Sequence, residues 1–125
     1  MPEFESFPSE AAPREWLAVR RPGPRVRATR FEVSLLPEDD INYPFYAVAV
    51  EDRGAGRWAV VRHRQCLGVD GEWSWESIPS EREDEWLAAH RFDLDTALRL
   101  AREAAPGVTV NGITAVEVLR RREAA

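Results

Sequence analysis

Trp58-Ala59-Val60-Val61-Arg62-His63-Arg64-Gln65-Cys66-Leu67, then Gly68-Val69-Asp70-Gly71, then Glu72-Trp73-Ser74-Trp75-Glu76-Ser77-Ile78: two β-type runs flank a turn and decide the fold. Asp70-Gly71 is a strong hairpin signal, because both central residues of the favoured two-residue turn need positive φ. A two-residue loop there pairs Val69 with Glu72, Leu67 with Ser74 and Cys66 with Trp75. Alternation along the strands then puts Trp58, Val60, Arg62, Arg64 and Cys66 on one face of the sheet, together with Trp73 and Trp75.

Downstream, the pattern turns helical. Ser80 followed by Glu83 forms a capping box, and acids fill the first turn while His90 and Arg91 close the last, as the helix dipole favours. Asp93 caps a second helix whose Leu94, Ala97, Leu98 and Ala101 make one apolar stripe. Pro106-Gly107 ends it. Val108 to Val110 reads either as an edge strand or as extended linker. Thr114 and Glu117 make a further capping box, with Ile113 and Val118 as its hydrophobic staple, and the helix closes on Arg120-Arg121-Arg122.

Upstream, Arg53-Gly54-Ala55-Gly56 is a turn. Phe45 to Glu51 is a strand rich in β-branched and aromatic residues. Pro37 to Pro44 is a polar connection, and Val26 to Leu36 is a first strand with Phe31, Val33 and Leu35 on one face. Pro22-Gly23-Pro24 interrupts regular structure. Arg14 to Arg21 suits a single helical turn with Trp16 and Leu17, and residues 1–13 read as a mobile tail whose Phe4 and Phe7 are its apolar exceptions. The expected organisation is a flexible arm over 1–24 and one domain over 25–125. That domain is α+β, an antiparallel meander of about four strands with two to three mainly C-terminal helices packed on one face.

At 125 residues such a domain buries a core without disulfides or metals. All 17 basic residues are arginine, a bias of GC-rich coding, so each arginine carries less functional weight than usual. No apolar run approaches the ~20 residues of a membrane span, and the acidic N-terminus lacks the order of a signal peptide. Cys66 is the lone cysteine, which fits a reducing interior and a cytoplasmic address.

The net charge of −5 opposes generic binding to nucleic acid or anionic membranes. It is unevenly spread: Arg14, Arg20, Arg21, Arg25, Arg27 and Arg30 crowd one tract, and Glu72 to Glu85 is acidic. These are either solvated faces, complementary within the fold or across a dimer, or the basic tract is an arm for phosphate or an acidic partner.

Arg91-Phe92-Asp93-Leu94-Asp95-Thr96-Ala97-Leu98-Arg99-Leu100-Ala101 and Val108-Thr109-Val110-Asn111-Gly112 resemble stretches of small uncharacterised actinobacterial proteins, as do Gly56-Arg57-Trp58-Ala59-Val60 and the Trp73-to-Pro79 strand. The similarity covers roughly Phe45 to Leu119. It implies a real domain and an actinobacterial source, and it implies no activity, ligand or catalytic residue.

Trp58, Arg62, Arg64, Trp73 and Trp75 are the first candidate binding set. Their face is either core, with the Leu94 helix over the indoles and the arginines reaching out at the edge, or an exposed platform for a partner. Arg20, Arg21, Arg25, Arg27 and Arg30 are the second set. His63 and Cys66 invite a base–nucleophile pairing, but residues three apart on a regular strand point to opposite faces, so Cys66 reads as a small buried residue. His90 reads as a cation or cap at its helix end. No metal-ligand spacing and no phosphate loop is present, so no cofactor, metal or catalytic residue is implied. The sequence therefore points to a non-catalytic interaction or regulatory module acting on an unidentified protein or on a second copy of itself. A nucleic-acid accessory role through residues 20–30 is the disfavoured alternative, and a ligand or enzyme pocket between sheet and helices is the third.

Overall fold

A computed structural model describes residues 23–76 and 83–125. Five antiparallel strands follow one another in space as they do in sequence: β1 (Arg30–Val33), β2 (Val48–Asp52), β3 (Trp58–Arg62), β4 (Gln65–Leu67) and β5 (Trp73–Trp75). Helices α1 (Asp84–His90) and α2 (Leu94–Ala104) come next, then a small hairpin of β6 (Thr109–Val110) and β7 (Ile113–Thr114), then helix α3 (Ala115–Ala124). The fold is the expected α+β meander with C-terminal helices, its main sheet carrying one strand more than anticipated. No helix among the described residues is long and apolar enough to cross a membrane.

The extra strand comes from a break in the long run Trp58 to Leu67. His63 and Arg64 form a two-residue turn that pairs Arg62 with Gln65, and His63 takes φ 56° to make it. A positive φ is uncommon for a residue bearing a Cβ, though His tolerates it better than most. The reversal has a large consequence. It moves Cys66 to the face opposite Trp58 and Val60, and it leaves Arg64 at a hairpin tip rather than on the Trp face.

The next turn also differs from the expected two-residue loop. Gly68 pairs with Glu72, leaving Val69, Asp70 and Gly71 as a three-residue loop in which only Gly71 has positive φ, at 83°. This is the type I turn with a bulge that a glycine in third position favours. Asp70 holds the loop by accepting from the Glu72 amide at 3.0 Å. The register is therefore Leu67 with Trp73, Cys66 with Ser74 and Gln65 with Trp75, one residue from the pairing read in the sequence. The two shifts leave Trp58, Val60, Arg62, Trp73 and Trp75 together as anticipated, joined by Gln65 and Leu67.

The other strands are shorter than their sequence signals. Pro44 starts a 3₁₀ turn over Tyr43–Tyr46, which delays β2 to Val48 and leaves Phe45 exposed. Glu83 is the N-cap of α1 without a side-chain bond, so the helix begins three residues later than the capping box implied. Ser80 itself lies outside the described residues, as do the arm residues 1–22. Asp93 caps α2 as expected, accepting from the Thr96 amide at 2.8 Å, and Thr114 caps α3 through the Glu117 amide at 3.1 Å.

The main core lies between the Trp face of the sheet and the Leu94 stripe. Val48, Val50, Val60, Ala97, Ala101 and Ala115 are fully buried there, with Leu94, Leu98, Trp58 and Trp73 packed around them. The two small alanines let α2 settle close to the valines of the sheet. Helix α3 joins this side through Val118 and Leu119. Helix α1 does not. Its Trp86 packs on Ala49, Ala59, Val61 and Cys66, the opposite face, so the helices cover both sides of the sheet rather than sharing one.

Candidate functional site

Under α1 the sheet carries a closed polar cluster. Cys66, fully buried, donates its S–H to Glu76 Oε1 at 3.1 Å. The other Glu76 oxygen accepts from Arg91 at 2.6 Å and from Arg53 at 3.0 Å. Arg91 also stacks over the Trp86 ring, its guanidinium carbon 5.6 Å from the ring centre. Burial pushes the Cys66 thiol up to about 11, and the carboxylate beside it adds to the shift. Burial likewise pushes the Glu76 carboxyl up, but the Cys66 S–H and the two guanidinium groups outweigh it and hold Glu76 below its ordinary value. A thiol so protonated is a poor nucleophile at neutral pH. The arrangement ties β4, β5, α1 and the β2–β3 turn together.

His90 completes this layer. Its ring stacks on Trp86 at 4.0 Å and 9°, its Nδ1 lies 2.7 Å from the Trp86 carbonyl and its Nε2 3.0 Å from Ser74 Oγ. A carbonyl only accepts, so Nδ1 carries a proton. Gly68 makes the approach feasible, since a Cβ there would sit 3.0 Å from Nε2. His90 is thus an anchor between α1 and the sheet, where the sequence suggested a free helix-end cation or cap.

The opposite face is closed at one end only. Trp58 lies against Phe31, ring centres 5.8 Å apart, beneath the α2 stripe. Towards the His63 turn a groove of about 580 Å³ opens between the sheet and the last turn of α2. Leu67 and Trp73 form its floor, Leu100, Glu103 and Ala104 its wall, and Arg62, His63, Gln65 and Thr109 its mouth. Trp75, cross-strand partner of Gln65 on this face, is 66% exposed. A second cavity of about 340 Å³ shares Arg62, His63 and Thr109 and continues to Phe45 and Asn111. Both volumes fall within the usual range for ligand clefts, about 300–1,000 Å³.

The first candidate set is thereby divided. Trp58 belongs to the core and Trp73 to the core edge and groove floor, while Arg62 and Trp75 border open space and Arg64 stands apart at the exposed turn. Of the second set, Arg20 and Arg21 lie outside the described residues. Arg25 is exposed, Arg27 meets Asp52 at 3.0 Å, and Arg30 meets Glu32 at 2.9 Å and Glu51 at 3.3 Å. Arg27 and Arg30 are thus complementary to acids of the same fold.

Sequence reading missed Gln65, Leu100, Glu103 and Thr109, and weighed His63 only as a partner for Cys66. Leu100 alone left a signal, being an apolar residue off the main α2 stripe. Among the described residues no three of His, Cys, Asp and Glu gather as a metal-binding group. No family model, no curated protein and no solved structure matches this chain.

Proposed function

We propose that the protein is a non-catalytic interaction or regulatory module of the cytoplasm, and that its contact surface is the open end of the Trp/Arg face. The observation that carries this reading is Trp75, a large apolar side chain 66% exposed beside a groove that Arg62 borders. Trp and Arg are over-represented among residues that dominate interface energies, because each combines a wide contact area with a polar handle. Exposed Phe45 extends the surface along the second cavity. The lone, buried Cys66 needs no oxidising compartment, which supports the cytoplasmic assignment.

A small-ligand module is the second reading, favoured by the 580 Å³ groove between sheet and helix. Crosslinking in the native host separates the two. A protein captured by the unaltered chain and by Arg120→Gln, an exposed arginine away from the groove, but lost with Trp75→Ala and with Arg62→Gln, supports the interaction module. Capture indifferent to Trp75 and Arg62 overturns it.

A further inference from the structure

Arg62 is the exception among the described arginines that are at least partly buried. Of the described arginines only Arg53, Arg62 and Arg91 are half-buried or more. Arg53 and Arg91 share Glu76, whereas among the described residues Arg62 meets no carboxylate and donates only to the Thr109 carbonyl, at 3.3 Å. The one acid on the groove wall, Glu103, is engaged by Arg99 at 3.1 Å. Burial without a counter-ion disfavours the charged form, and the Arg62 pKa is pushed down accordingly. Guanidinium groups stay charged in proteins, so the cost of the partly buried charge is uncompensated until an anion arrives.

Its position defines the anion's setting. Arg62, with His63 and Thr109, borders both cavities, the larger floored by Leu67 and Trp73 and the smaller walled by exposed Phe45. An occupant that fills both places an acidic group at the junction and apolar groups on either side. We infer that the groove takes an extended acidic segment of a partner protein, a carboxylate of which pairs with Arg62 between two apolar side chains. This rests on the reading of the open face as a contact surface. Charge complementarity favours a carboxylate peptide over nucleic acid. Among the described residues the groove offers one cation without a carboxylate partner, whereas a nucleic-acid strand needs a track of cations to displace its counterions.

The test uses two fluorescein-labelled peptides of alternating polarity, identical except for a central Glu in one and Gln in the other, each flanked by Leu two positions away. Binding is followed by anisotropy and by the indole N–H signals of Trp73 and Trp75 up to millimolar peptide. The Glu peptide is expected to bind about tenfold or more tightly than its twin, the worth of a charge-assisted hydrogen bond. The preference weakens with added salt on the unaltered chain, a readout that needs no variant. Arg62→Gln abolishes the preference and Arg62→Lys keeps part of it. Equal binding of the two peptides, lost with Trp75→Ala, overturns the carboxylate assignment while leaving the contact surface standing. Absence of binding by both peptides overturns the inference. Tighter binding of a labelled thymidine decanucleotide, lost with Arg62→Gln, overturns it in favour of nucleic acid.

Discussion

On the Cys66 face of the sheet Glu76, Arg53 and Arg91 are closed upon one another, whereas on the Trp58 face Arg62 stands half-buried with, among the described residues, a single carbonyl as partner. The first face has Glu76 between Arg53 and Arg91, with the Cys66 S–H as a third donor, all beneath a seven-residue helix. The second has a larger apolar core under an eleven-residue helix and then a groove beside the last turn of that helix. A buried ionic cluster fixes geometry, because its members have one arrangement that satisfies them all. Arg62, beside apolar surface, has among the described residues no such closed set of partners. The difference separates a region whose charged groups fix one another from the region to which the contact surface is assigned above.

The largest expected effect follows from opening the closed face. Glu76→Ala leaves Arg91, 6% exposed at its side chain, and Arg53 without their shared carboxylate. Removing one member of a buried ion cluster costs about 3–5 kcal/mol, measurable by urea titration. The pH dependence has a fixed sign. Glu76 is held below its ordinary value of 4.5 in the folded chain. Its contribution is therefore complete above about pH 5 and is lost as pH falls through the folded value. Glu76→Gln should flatten the acid limb of the stability curve. An unchanged midpoint in Glu76→Ala would show the cluster to be idle, and the two faces would no longer differ as described.

Leu98→Ala probes the other face at its closed end. Leu98 packs on the core from the α2 stripe but is only half-buried, so the expected loss is about 2 kcal/mol, the low end for a leucine truncation. A smaller step is Thr114→Ala, which leaves the Glu117 amide without its acceptor and should cost about 1 kcal/mol. Both are read from the shift of the unfolding midpoint.

Those two sites were legible before the structure, and the reason is local. A cap at Asp93 or Thr114 is decided within four residues by hydrogen bonds the side chain can reach. The apolar period of α2 is equally local. The sheet's faces depend instead on turn lengths. His63-Arg64 carries no Gly, Asn, Asp or Pro to announce a reversal, and His63 bears the positive φ itself. In the following loop Gly71 alone turned left-handed, so one residue more entered the loop and the register moved by one. Cys66 changed sides through the first of these, and its bond to Glu76, ten residues on, could not be anticipated without it. The groove was foreseen only as a place between sheet and helices. Its outline depends on where α2 ends relative to the sheet, which no single segment encodes.

The smallest stability effect belongs to Trp75, and it bears most on function. Trp73 and Trp75 stand two residues apart on one strand and on one face, yet Trp73 packs against the core while Trp75 is 66% exposed. Trp75→Ala therefore gives up little buried area, and the loss should stay within about 0.5 kcal/mol, the usual scale of a surface substitution. Trp73→Ala removes a half-buried indole from the core edge and should cost distinctly more. The pair thus compares open and closed surface with the residue type held constant. If Trp75→Ala instead unfolds the chain as readily as Leu98→Ala, that indole is covered in solution and the open face is not open. If stability holds while the central-Glu peptide no longer binds, the exposed indole is contact surface and the groove is the part of this fold kept for a partner.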